Sequence, residues 1–293
     1  MLTYFQAIVL GILQGVTELF PISSLGHSVI LPKLLGWDDV VAAQSATESY
    51  FLAFLVGLHV ATAIALLVFY RETWERIGRG LLVSARSGRI STPDQRLGWL
   101  LVVATIPAGL AGLLLEHSLR VVFATPLAAA VFLVINGLIL LFGEWVRRRA
   151  EVRRVVAAHA LNPAGDRPLS TLEFREAGAI GVAQVFALLP GISRSGITMV
   201  AGLARGLDHE DSARFSFLLA TPIILAAGLY KLPDLLGPNG DGVRLQILVG
   251  SIAAGLAAYL SVRFLTRYFT TRTLTPFAIY CLVVGALAIV RFA

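Results

Sequence analysis

Two short polar runs interrupt an otherwise apolar chain, and they hold the residues able to do chemistry. The first, QGVTELFPISSLGHS, supplies Gln14, Thr17, Glu18, Ser23, Ser24 and His27. The second, PGISRSGIT at 190–198, supplies Gly191, Ser193, Arg194, Ser195 and Thr198. Arginine offers a planar fork that fits phosphate oxygens, and helix starts after Pro-Gly breaks present free backbone N–H groups to an anion. A serine becomes a nucleophile when a base sits beside it. His27 can donate or accept a proton near neutral pH. The ingredients suit an anionic substrate. Gln14 and Glu18 are four apart and share a helix face; Pro21 ends or kinks that helix, and Gly26 allows close backbone approach. On insertion scales a lone Glu or Arg at mid-membrane costs about 2.5–3.5 kcal/mol, so a shared internal site for Glu18 and Arg194 offsets part of both costs.

Each residue also has a plainer reading. Glu18 could lie at a wet helix end, Ser24 and Ser193 could cap helix starts, His27 could be interfacial, and Arg194 could be a structural partner of Glu18. The DHED run at 208–211 has metal-ligand types but reads better as the acidic first turn of a helix. Gly11 and Gly15 read as helix packing.

These runs sit in a chain built for lipid. It has 293 residues, of which 57% are hydrophobic and 14% charged, against roughly 25% charged in a soluble domain; its mean hydropathy is +0.79. Apolar runs of twenty or so residues exclude the ten-residue alternation of a barrel. The net charge of +6 comes from basic loops beside spans, so it reports topology and not nucleic-acid binding. Lys33 and Lys231 are the only lysines, and Cys281 is the only cysteine, which excludes an intrachain disulfide and a Cys-based metal site. The N-terminal residues read as retained rather than cleaved.

Six stretches read as full spans: about 50–69, 97–115, 123–144, 213–231, 245–263 and 275–291. Arginines crowd 70–96, 145–172 and 263–272, whereas 116–120 and 233–242 are poor in them. The positive-inside rule makes the first group cytoplasmic and the second external. Two interrupted apolar stretches remain, about 1–35 and 173–204, and the loop charges require each to enter and leave on one side. The expectation is an all-α integral membrane protein with two re-entrant helical hairpins plus six transmembrane helices, in one membrane domain over 1–293. Half one is 1–144, with its hairpin at about 1–35 entering from outside. A cytoplasmic loop follows at 145–172. Half two is 173–293, with its hairpin at about 173–204. Three spans per half is odd, so the halves form an inverted-topology repeat; LFPISS at 19–24 echoes LLPGIS at 188–193. Such folds place a site near mid-membrane where broken helices meet. They are also typical of transporters, so translocation of a lipid phosphate is the competing function.

At the two polar runs the sequence resembles the undecaprenyl-diphosphate phosphatase family, the BacA/UppP type of bacterial inner membranes. The family's first signature has Glu or Gln, three residues, Glu, then a Pro-x-Ser-Ser-x-Gly-His run; here it is Gln14 to Glu18 and PISSLGH at 21–27. Its second, Pro-Gly-x-Ser-Arg-Ser-x-x-Thr, is PGISRSGIT. The resemblance extends to IPAGLAGLLLE at 106–116 and ARFSFLLATPI at 213–223. It implies hydrolysis of undecaprenyl diphosphate to undecaprenyl phosphate, a role in bacitracin resistance, and a divalent cation, Mg²⁺ or Ca²⁺. It points to Glu18, Ser24, His27 and Arg194 as catalytic residues. Gln14, Ser23, Gly191, Ser193, Ser195 and Thr198 are expected to bind substrate, and Glu18 with the Gln14 carbonyl to ligate the metal. Where many members have a first glutamate this chain has Gln14, which cannot be a base, so a two-carboxylate mechanism is not expected. Ser24 attack through a phosphoserine and direct attack by water both remain open. The expected surroundings are the lipid substrate, the bacterial inner membrane with the site facing the periplasm, no nucleic acid, and a homodimer as an open oligomeric form.

Overall fold

A computed structural model describes residues 2–45, 50–123, 125–158, 167–231, 233, 237 and 241–293. Among the described residues the chain is helical and has no strand. The first helix, α1 (Tyr4–Thr17), opens on a capping box: the Thr3 hydroxyl accepts from the Gln6 N–H and the Gln6 carboxamide oxygen accepts from the Thr3 N–H. A turn holding Pro21 leads into α2 (Ser24–Leu34), followed by α3 (Asp38–Ser45), α4 (Tyr50–Phe69), α5 (Arg71–Ser87), α6 (Pro93–Phe123) and α7 (Pro126–Ala158). The second half holds α8 (Phe174–Ala183), a 3₁₀ stretch, α9 (Arg194–Ala204), α10 (His209–Tyr230), α11 (Arg244–Tyr268) and α12 (Thr275–Phe292).

Six of these are long and apolar enough to cross a bilayer: α4, α6 over Pro93–Leu115, α7 over Pro126–Ala150, α10, α11 and α12. The chain is a multi-pass membrane protein. Large apolar side chains such as Leu114 and Val290 face outward, as lipid contact allows. By contrast α1, α2, α8 and α9 have 14, 11, 10 and 11 residues, too short for a full crossing at 1.5 Å per residue. α1 packs on α2, and α8 on α9.

Three expectations change. Residues 145–158 are not loop but the continuation of α7, because Arg, Ala and Glu are strong helix formers that carry a span past the lipid. Residues 71–87, inside the arginine-rich 70–96 stretch, form α5. Its charge count hides an amphipathic pattern that buries Thr73, Ile77 and Ser84 against α6. The EHSLR stretch at 116–120 is not a connection but the last turns of α6.

Small residues set the helix contacts. A Cβ at Gly11 would fall on the Gly250 carbonyl, and one at Gly15 on the Ala254 carbonyl, so α1 and α11 run parallel in backbone contact. A Cβ at Gly181 of α8 would likewise meet the Ala104 carbonyl of α6. Across α7 and α12 the contacts are reciprocal: Gly137 lies against the Ala278 carbonyl and Gly285 against the Ala130 carbonyl. Residue numbers that rise on one helix as they fall on the other make α7 and α12 antiparallel. A hydrophobic cluster including Leu19, Ile22, Leu133, Leu140, Met199 and Val200 surrounds both chain breaks.

Gly137→Leu should therefore lower the thermal unfolding temperature in detergent, since overpacking a close backbone contact costs about 1–3 kcal/mol. Gly109→Leu, where a Cβ meets nothing within 4 Å, should leave it unchanged. Equal effects at both glycines would refute this account of the helix contacts.

Candidate active site

The two breaks meet through one ion pair. Glu18, just past the end of α1, accepts from Arg194 Nη2 at 3.0 Å through Oε1. Glu18 is buried, at 7% side-chain exposure, and Arg194 is part-buried at 14%, so Glu18 is not at a wet helix end. Its other oxygen, Oε2, accepts from Ser24 Oγ at 2.6 Å and Gln14 Nε2 at 3.1 Å. His59 Nε2 of α4 lies 3.6 Å from the same oxygen. A serine hydroxyl on a carboxylate at this distance is the nucleophile–base contact that general-base activation requires. Gln14 turns its NH₂ to Glu18, because its carbonyl would repel the carboxylate.

Local backbone geometry separates Ser23 from Ser24. Ser23 has φ 71° and ψ 104°, a rare conformation for a residue with a Cβ. It places the Ser23 hydroxyl over the start of α2, where it accepts from the Gly26 N–H. The same oxygen accepts from the Gly191 N–H at 3.1 Å, across to the other break. Ser23, not Ser24, is therefore the N-cap, and Ser24 is released to bond Glu18. Gly191 itself has φ 107° and packs against the Ala129 carbonyl, a position only glycine fills without strain.

In the second break Ser193 caps α9 by accepting from the Gly196 N–H. Its hydroxyl also meets Ser195 Oγ at 3.0 Å, and Ser195 donates to the Phe20 carbonyl across the gap. Thr198 donates to the Arg194 carbonyl and bonds Ser216 Oγ of α10 at 2.6 Å. These hydroxyls are buried and committed to the protein, so they hold the loop and Arg194 in place. Arg194 keeps spare donors: its Nε is buried without a partner among the described residues, and Nη1 has only a long contact, 3.4 Å, to the Ser216 carbonyl. An unsatisfied guanidinium N–H beside a hydroxyl on a base is a receptor for an anionic oxygen.

His27 lies one turn beyond Ser24 on α2, with no hydrogen bond to Glu18, Ser24 or Arg194. Nδ1 faces the Ser23 carbonyl at 2.7 Å and Nε2 the Tyr280 hydroxyl of α12 at 2.9 Å. A carbonyl only accepts, so Nδ1 carries the proton and Nε2 receives the tyrosine O–H. At the DHED run, Asp208 caps α10 and Asp211 accepts from the Leu169 N–H, which is the acidic first-turn reading.

Four contributors escaped the reading of the sequence: His59, Asn136, Ser216 and Tyr280. His59 is the only charged or imidazole side chain in α4, and Asn136 is the lone amide in the apolar part of α7; a polar residue inside a span is a signal in itself. Asn136 is fully buried. Its Nδ2 donates to the Pro21 carbonyl and its Oδ1 accepts from the Ser193 N–H, both at 2.9 Å. One side chain of α7 thus clamps both breaks. Ser216 and Tyr280 carry no such signal, because they matter only through tertiary contact.

Comparison with known proteins covers both breaks. The family described as "Bacitracin resistance protein BacA" matches residues 7–287. The chain is 57% identical to "Undecaprenyl-diphosphatase" of Mycolicibacterium paratuberculosis, with 100% of this chain and 98% of the relative covered. It is 56% identical to "Undecaprenyl-diphosphatase 2" of Frankia alni, covering 100% and 98%. With "Undecaprenyl-diphosphatase 2" of Chromobacterium violaceum it shares 46% identity, covering 97% of each.

Removing one partner of the central pair should be worse than removing both. Arg194→Ala leaves a buried unpaired carboxylate and should cost about 3–5 kcal/mol. The double change Glu18→Gln with Arg194→Ala should recover part of that loss in denaturant unfolding. Additive losses would mean that the two groups are not coupled.

Proposed function

The chain belongs to the bacitracin resistance protein BacA family, and on that premise we propose how it dephosphorylates undecaprenyl diphosphate. The product is undecaprenyl phosphate, the lipid carrier for peptidoglycan precursors, and this recycling fits the bacitracin resistance in the family's description. The observation that carries the mechanism is the Ser24–Glu18–Arg194 chain, with contacts of 2.6 and 3.0 Å.

In this mechanism the diphosphate oxygens bind the free Arg194 N–H groups while Nη2 stays on Glu18. Ser24 passes its proton to Glu18, and its Oγ attacks the terminal phosphorus. The bond from that phosphorus to the lipid phosphate oxygen breaks, releasing undecaprenyl phosphate and leaving a phosphoserine. Water then cleaves the phosphoserine and liberates phosphate. Arg194 matters most as charge grows on the phosphoryl oxygens. Arg194 and His59 flank the Glu18 carboxylate and hold it in place. His27, fixed by the Ser23 carbonyl, can take a proton from the attacking water at Nε2 once that nitrogen gives up the Tyr280 O–H.

One carboxylate in the cluster fits Mg²⁺, which commonly takes one or two carboxylates plus substrate phosphate oxygens. Ca²⁺, with six to eight oxygen ligands, fits less well. Glu18 would hold the ion as the alternative to taking the Ser24 proton; Gln14 would first have to turn its amide over. Among the described residues no group of three His, Cys, Asp or Glu side chains could hold a metal, so the diphosphate would supply the other ligands. When bound, Mg²⁺ would neutralise diphosphate charge.

The architecture we propose is two re-entrant hairpins, α1–α2 and α8–α9, in two inverted halves about the 145–172 connection. Several contacts support it. α1 packs on α11 as α8 packs on α6, and α4 packs on α11 as α10 packs on α6. The α7–α12 contacts are reciprocal and antiparallel. Loop arginines favour a cytoplasmic 145–172 connection and a site open to the periplasmic face of the inner membrane. The isoprenoid tail would stay in lipid while the head enters between the hairpins.

Purified protein in detergent, where transport is impossible, should release phosphate from undecaprenyl diphosphate. Label from terminally ³²P-labelled substrate should be trapped on the wild type and absent from Ser24→Ala. Arg194→Lys, which keeps the charge but loses the fork, should lower kcat on the order of 100-fold. Undiminished turnover by Ser24→Ala would exclude the serine route and leave direct attack by water.

A further inference from the structure

Away from the two breaks, a cavity of about 290 Å³ opens between the outer part of α7, the start of α10 and the turn before α12. Its floor is a closed polar network. Glu144 is 4% exposed and accepts from His209 Nε2 and the Leu274 N–H, both at 2.7 Å. His209 Nδ1 in turn accepts from Arg147 at 2.6 Å. One oxygen of Asp208, Oδ1, accepts from the Asp211 N–H at its own helix start. Glu210, the other acidic group lining the cavity, is exposed. The rim carries Arg148 and Arg272, both exposed and without an ion pair among the described residues, together with the Thr271 hydroxyl. The cavity therefore offers two guanidinium groups without an ion pair among the described residues, over a floor where Glu144 Oε1 and Asp208 Oδ1 are hydrogen-bonded within the protein.

The level of the cavity along α7 is marked independently. Trp145, next to Glu144, is 47% exposed on the outer face of the helix. It stacks on Phe142, with centroids 5.7 Å apart, and Arg149 lies 3.9 Å over its ring. An exposed Trp with an arginine over it is the residue pairing that settles at the headgroup level of a bilayer. Basic pockets between transmembrane helices at that level take anionic headgroups.

We infer that this cavity is a binding site for the phosphate headgroup of an anionic phospholipid, held by Arg148 and Arg272. The site stands apart from the catalytic reading and does not depend on it. Its floor reaches the catalytic region through two helices: His209 and Ser216 share α10, and Glu144 and Asn136 share α7.

Native mass spectrometry of the full chain, titrated with phosphatidylglycerol or phosphatidylcholine, tests the assignment. The wild type should retain phosphatidylglycerol preferentially. The Arg148→Ala/Arg272→Ala protein should retain it at least ~10-fold more weakly, at about fivefold per arginine. Both positions are exposed, so its unfolding temperature should match the wild type's. Equal retention of the two lipids, or phosphatidylglycerol retention unchanged in the double variant, would overturn the proposal. So would displacement of the lipid by millimolar inorganic phosphate, which would make the site one for free anion.

Discussion

A carboxylate and a guanidinium cannot sit inside a membrane protein alone, and Glu18 and Arg194 lie 176 residues apart in the chain. Their pairing constrains everything around them. Each stands at a break, where a helix ends or begins and the side chain reaches across to the other helix pair. The breaks then expose backbone N–H and C=O groups that have no water to meet. Ser23, Ser193, Ser195 and Asn136 answer those groups one by one. The polar content of both motifs is mostly the cost of bringing that ion pair together.

Hydrogen bonding divides the hydroxyls of the two breaks. Ser23, Ser193, Ser195 and Thr198 each have their hydroxyl bonded within the protein. Ser24 is different, since its one side-chain partner among the described residues is the Glu18 carboxylate. Arg194 is different too, with a buried Nε and no partner for it among the described residues. Reactive capacity sits where satisfaction is incomplete or where a proton has somewhere to go. A family motif lists both kinds of residue without distinguishing them.

Much of this was legible in the sequence, and the limits have physical causes. Charges within apolar runs are conspicuous, so Glu18 and Arg194 could be paired before any coordinates. The six spans follow from length and hydropathy. The division between Ser23 and Ser24 could not be read, because it turns on a φ of 71° at one residue. α5 was hidden because its arginines mask the apolar face that packs on α6. His59 and Asn136 were visible as exceptions in their helices, but their partners depend on how distant helices dock. Tyr280 sits in an ordinary apolar helix, and only the fold brings it to His27.

The seam between α7 and α12 has a symmetry of its own. Gly137 meets Ala278 as Gly285 meets Ala130, and each glycine lies seven residues beyond the alanine on its own helix. A surface of this kind is self-complementary, as at a two-fold interface. A peptide half this length that carried it could pair with a copy of itself inserted the other way up.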